Sequence, residues 1–212
     1  MALSVNLFAR SLAEFETSRA MLPCLACACV LIAGKIEMIY PPAVEDLYFM
    51  TDQSNAPISE RVFSLDDVIQ YEGKVCNALS WRINCVTVQH FRTRLLESAR
   101  LNARETGLFD YLLDLSHLEA SLSSARPSKV AAACLYLTLR MFRRAGWNED
   151  VEFYSSYSPA DFANLVPLVH AVHARSEEGS YRAIYTKYRS STRDRISLIT
   201  ALPVNQLGLE EH

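Results

Sequence analysis

The stretch Ala28-Cys29-Val30-Leu31-Ile32-Ala33-Gly34-Lys35-Ile36-Glu37-Met38-Ile39-Tyr40-Pro41-Pro42 decides the fold. Upstream, Cys24-Leu25-Ala26-Cys27 continues the same small, apolar character, so no polar side chain interrupts Cys24 to Ala33. A helix apolar on all sides has to be enclosed by other helices rather than by water. Its Ala, Cys and Gly residues let those neighbours approach closely. Pro41-Pro42 forbids continuation, because proline lacks the N–H and restricts the residue before it. The apolar run Met21 to Gly34 is 14 residues long, short of the roughly 18 to 20 needed to cross a bilayer, and reads as a core helix. Lys35 therefore falls near the carboxyl end of a buried central helix.

A length of 212 residues leaves open one large domain or two of about 100 residues each. Half of the residues are apolar and only six are glycine, which suits packed helices with short links. The net charge of −3 gives no electrostatic case for nucleic-acid binding. Five of the six cysteines are Cys24, Cys27, Cys29, Cys76 and Cys134, the sixth is Cys85, and most lie in apolar helical runs where thiols behave as small hydrophobes. A reducing compartment follows. Cys24-x-x-Cys27-x-Cys29 lacks a nearby His, a second Cys pair and a shared helix face, so no metal site is expected. No basic segment leads into an apolar one with a cleavage site at the amino terminus, which points to nucleus and cytoplasm, with no membrane partner. His90, His117, His170, His173 and His212 are scattered, and no Gly-rich phosphate loop or nucleophile elbow occurs. No catalytic site and no cofactor are expected.

Leu3, Leu7, Leu12 and Phe15 fall near a 3.6 period, so a first helix starts almost at Met1. The central helix spans about 21–37, a short one 44–50, and Ser64-Leu65-Asp66-Asp67 opens another that carries Glu72 and runs to Leu79. Thr87 caps a helix reaching Arg100, and 105–120 forms the next. Pro127-Ser-Lys-Val-Ala-Ala-Ala-Cys-Leu-Tyr-Leu then repeats the pattern of Pro23-Cys-Leu-Ala-Cys-Ala-Cys-Val-Leu-Ile-Ala at an offset of 104 residues, which favours two similar helical bundles. Ser158-Pro159-Ala160-Asp161 starts a helix through Phe162, Leu165, Val166, Val169 and His173 that Pro167 should kink, and 178–188 is the last helix.

Gly34-Lys35-Ile36-Glu37-Met38-Ile39-Tyr40-Pro41-Pro42, followed by Asp46-Leu47 and Thr51-Asp52, resembles the cyclin box, particularly of A- and B-type mitotic cyclins. The resemblance continues through Tyr71-Glu72-Gly73-Lys74-Val75-Cys76-Asn77-Ala78-Leu79, Trp81-Arg82-Ile83 and Val88-Gln89-His90-Phe91 to Tyr185-Thr186-Lys187-Tyr188-Arg189. It implies an all-α tandem cyclin fold: a first box over 1–85, a second over 86–195 and a tail over 196–212. It also implies a regulatory subunit, not an enzyme, that binds and activates a cyclin-dependent Ser/Thr kinase around G2/M. By the same resemblance Lys35 and Glu72 hold the kinase at the base of its C-helix, through charge-assisted bonds to its backbone. Ile32, Ile36, Trp81 and Ile83 form the apolar floor beneath that helix, with Ile32 equally readable as core.

The chain departs from this pattern in three places. Its first box starts in what resembles the family's second helix, so four of five helices are expected and one side of the central helix is left uncovered. Either the sequence is incomplete or the substrate-docking groove is gone. Pro23 stands where mitotic cyclins usually carry a groove Gln, and Met38 replaces the second acid of Lys-x-Glu-Glu. The alternatives are an adaptor cyclin that binds without activating, or a cyclin-fold transcription factor, against which the acidic balance argues.

Overall fold

The computed structural model describes residues 1–51, 60–144 and 146–203, and every regular element among them is helical, as the sequence implies. The chain divides into two compact units, Met1–Cys85 and Val86–His212.

In the first unit α1 (Ala2–Glu14), a 3-10 turn (Arg19–Met21), α2 (Leu22–Glu37), α3 (Val44–Phe49) and α4 (Leu65–Ala78) follow in order. α4 starts where Ser64 and Asp67 close a reciprocal capping box, satisfying two amide donors that a helix start would otherwise leave unpaired. α2 packs against α1, α3 and α4. One side, with Leu25, Cys29, Ile32 and Ala33, joins Leu3 and Leu7 of α1, Val75 and Cys76 of α4, and Leu79 just after α4. The other, with Cys24, Cys27, Ala28 and Leu31, meets Leu47, Tyr48, Phe63 and Val68. The three cysteines of the Cys-x-x-Cys-x-Cys run are thus split between two apolar clusters. Burial pushes the thiols of Cys24 and Cys29 up to about 12, so they stay protonated and inert.

The enclosure expected for α2 is incomplete. Pro23 and Val30 are exposed and Ala26 is half-buried, a stripe at helical spacing that none of the described elements of this unit covers. With the preceding turn the helical stretch is also longer than the apolar run suggests. Arg19–Glu37 spans 19 residues with a mean hydropathy of 1.8, long and apolar enough to cross a membrane by length and composition, and half of it is buried within the protein. On α1 the third expected core residue is displaced: Leu12 is exposed and Ser11 takes the buried position. Leu3, Leu7 and Ser11 are spaced by four, which keeps one face against α2.

The second unit contains a 3-10 turn (Val88–Phe91), α5 (Arg92–Ala99), α6 (Ala103–Ser116), α7 (Ala120–Ser123), α8 (Pro127–Met141), α9 (Glu149–Ser155), a 3-10 turn (Pro159–Asp161) and α10 (Val166–Ala174). A turn at Gly179–Tyr181, α11 (Arg182–Arg189) and two further 3-10 turns, Ser191–Arg193 and Ile196–Leu198, complete it. α8 is its buried centre, with ten consecutive residues from Val130 to Leu139 shielded. Pro127 occupies its first turn as Pro23 does in α2, where the missing N–H costs nothing. Two buried carboxylates tie the helices together. Asp114 accepts from Gln89, Lys187 and Tyr188, and Glu105 caps the Asn102 amide while pairing with Arg144 at 3.0 Å.

Here the structure corrects several readings. The helix expected over 105–120 ends at Ser116, and Glu119 starts the separate α7 by accepting from the Ser121 amide. Pro167 does not kink a long helix. It sits in the first turn of α10, after a break at 162–165, because only there does its lack of an N–H forfeit no bond. α9, capped by Asn148, is an additional element. Ile196 and Ser197, assigned to the tail, are buried: Ile196 is 2% exposed and lies against Gly107.

Candidate partner-binding site

The last turn of α2 carries Lys35, and the helix ends where the Met38 amide donates to the Gly34 carbonyl and the backbone becomes extended. Gly34 is required by close approach. A Cβ there would lie 2.6 Å from Pro42 Cδ, so the Pro41-Pro42 turn folds directly back onto the helix end. That fold leaves Ile39 and Tyr40 almost fully exposed at the tip and keeps Lys35 and Ile36 at the rim.

Glu72 lies mid-way along α4, the helix packed most extensively on α2. Lys35 Nζ donates to Glu72 Oε1 at 2.6 Å. The Lys35 side chain is half exposed and that of Glu72 mostly covered. One turn on, Cys76 is buried, and its thiol is held high by desolvation and then by the Glu72 carboxylate.

The four apolar candidates fall in different places. Ile32 is 2% exposed and belongs to the core between α1, α2 and α4, so it offers no surface and can support a floor only from beneath. Its position one turn inside the helix end, where α1 and α4 still cover that face, is the reason. Ile36, one turn later, is exposed. Ile83 is half-buried against the cluster that contains Ile32. Trp81 is 68% exposed. Ser80 and Trp81 both adopt left-handed backbone conformations, φ 50° and 58°, which bulky residues rarely do. Closing bonds from the Trp81 amide to the Cys76 carbonyl and from the Arg82 amide to the Leu79 carbonyl hold them there. Arg10 Nη2 of α1 adds a bond to the Arg82 carbonyl at 2.6 Å. Sequence reading missed both this clamp and the Gly34–Pro42 contact, since neither Arg10 nor Pro42 carries a mark of the residue it meets in the fold.

Asp52, quoted with the cyclin-like motif, and His212 lie outside the described residues. His90 acts in a cap, its Nδ1 accepting from the Thr87 amide. His170 and His173 are both buried, so their face is internal rather than a surface one. Among the described residues no group of three His, Cys, Asp or Glu is placed to hold a metal ion.

A helical unit with a buried central helix, followed by a second unit built on another small-residue helix, defines a tandem all-helical fold. The sequence profile of the cyclin N-terminal domain matches residues 1–84 and that of the cyclin C-terminal domain residues 86–202, so this chain belongs to the cyclin family. It is 28% identical to the G2/mitotic-specific cyclin-B of Spisula solidissima over 200 residues, 94% of this chain and 45% of that protein. It is 31% identical to Cyclin-A1-4 of Oryza sativa subsp. japonica over 193 residues, 88% of this chain and 52% of that protein. The chain thus spans about half the length of the curated relatives it matches. Its fold is similar to that of a viral cyclin from herpesvirus saimiri, with a TM-score of 0.62 at 18% identity, covering 94% of this chain and 76% of the other.

Proposed function

We propose that this chain is a regulatory subunit that binds and activates a cyclin-dependent Ser/Thr protein kinase, in cell-cycle control at G2/M and in nucleus and cytoplasm. The observation that carries this reading is the Lys35–Glu72 pair at the rim between α2 and α4. It offers an incoming backbone a cationic donor and a carboxylate acceptor side by side, and bonds to such charged groups exceed neutral ones. Ile36, Trp81 and Ile83 add apolar contact surface, with Ile32 packed beneath. Family membership and the G2/mitotic names of relatives support the partner class. The chain contributes no reacting group. Its binding favours the kinase conformation in which the C-helix Glu pairs with the catalytic Lys, a population shift driven by differential affinity.

A second reading is an adaptor that binds a partner without activating a kinase, and the Pro23–Ala26–Val30 stripe, exposed among the described residues, is apolar surface that such a partner would meet. A pull-down from matched cell extract separates the two, using wild type and the double variant Lys35→Ala, Glu72→Ala, with a histone-kinase assay on the beads. Activity captured by wild type and lost in the variant supports activation. Captured kinase without activity supports the adaptor, and folded wild type that captures no kinase overturns the activating reading.

A further inference from the structure

The chain is acidic overall, yet residues 182–195 hold Arg182, Lys187, Arg189, Arg193 and Arg195 against the single acid Asp194. Lys187 is committed to Asp114. The other four cations are exposed and, among the described residues, none of them forms an ion pair. Arg193 is braced over the Tyr188 ring at 5.2 Å. Arg182, Thr186 and Arg189 stand at i, i+4 and i+7 of α11 and therefore share a face, the two arginines about 10 Å apart along the axis with the hydroxyl between them. With Tyr185 and Glu177 they line a cavity of about 370 Å³.

Helix stability explains only part of this. A cation at the end of a helix is favourable, which accounts for Arg189, but Arg182 occupies the first helical position, where the dipole opposes positive charge. The one carboxylate in the cavity, Glu177, is turned to the Tyr185 hydroxyl at 2.7 Å and neutralises neither arginine. We propose that this face of α11 is a binding site for a phosphorylated segment of a partner protein, with Arg182, Thr186 and Arg189 as its anion clamp. Guanidinium forks bind phosphate oxygens in bidentate geometry, and the intervening hydroxyl supplies a further donor. A nucleic acid fits less well. The aromatic rings here, Tyr185 and Tyr188, are buried and cannot stack on bases, and Glu177 interrupts any continuous basic track. The site does not depend on the kinase-binding reading, because all of its residues lie in the second unit.

The test is fluorescence anisotropy on the full chain at about physiological ionic strength, with a labelled acidic nonapeptide carrying one central phosphoserine and its unphosphorylated twin. The phosphopeptide binds about tenfold more tightly than the twin, and Arg182→Ala with Arg189→Ala removes about that factor. Arg182→Lys with Arg189→Lys keeps the charge but loses most of the preference, whereas Glu177→Gln tightens binding. Circular dichroism melts verify that each variant is folded. Equal binding of the two peptides, or a preference that survives the alanine pair in folded protein, overturns the proposal. So does tighter binding of a single-stranded oligonucleotide than of the phosphopeptide.

Discussion

Lys35 Nζ lies 2.6 Å from Glu72 Oε1, joining the last turn of α2 to the middle of α4 through a pair whose cation is half in water. Such a pair contributes little to stability, about 0.5 kcal/mol after solvent screening. Lys35→Ala is therefore expected to shift the melting temperature by only about 2 °C while reducing kinase capture about tenfold. Thermal melts run beside the pull-down check this. A large fall in melting temperature would make the pair a structural bond and remove the main support for the interface.

Gly34 tests whether the helix end has to be shaped by close approach. Gly34→Ala drives a Cβ to within 2.6 Å of Pro42 Cδ, an atom held in a ring, and overpacking of that kind costs about 2 kcal/mol. Gly73→Ala on α4 meets nothing within 4 Å and should stabilise by up to about 1 kcal/mol, the intrinsic helix preference for Ala. Urea denaturation of both variants decides the matter, and a neutral Gly34→Ala would show that the Pro-Pro turn moves aside freely.

The turn at Ser80–Trp81 separates strain from contact. Ser80→Gly relieves a left-handed residue and should stabilise by about 1 kcal/mol with partner binding intact. Trp81→Gly relieves the neighbouring one but deletes an exposed indole, so it should stabilise comparably and weaken partner capture. Parallel denaturation and pull-down of the two variants test this, and equal capture would exclude Trp81 from the interface.

Much of the architecture was legible because its signals are local. The cap at Ser64, the prolines at 23 and 127 and the unbroken small-residue runs each announce a helix within a few residues. What was not legible depends on distant packing. Ile32 and Ile36 share a face one turn apart, yet the first is core and the second exposed, since that depends on where α1 and α4 stop covering α2. Pro167 fits either a kink or a first turn, and only the observed break at 162–165 distinguishes them. The left-handed Ser80–Trp81 pair had no glycine to mark it. The basic face of α11 was written in the sequence but hidden by a net charge averaged over the whole chain.

His173 gives the second unit a pH dependence of defined sign. Its ring is 3% exposed and packs edge-on against Tyr111, and its Nδ1 has no hydrogen-bond partner. Burial, reinforced by neighbouring His170, lowers its pKa from 6.5 to about 4. Below about pH 6.5 the unfolded chain accepts a proton that the folded chain refuses, so stability is fully present above that pH and falls as pH drops toward 4. The whole window corresponds to about 3 kcal/mol. His117, likewise lowered by burial, acts in the same direction, so replacing His173 alone should reduce the slope without abolishing it. His173→Phe keeps the ring contact with Tyr111 and removes the titration. Urea midpoints measured between about pH 7.5 and 5 should fall more steeply with decreasing pH for the wild type than for the variant. Parallel curves would mean that His173 is protonated in the folded protein and that its pocket admits water.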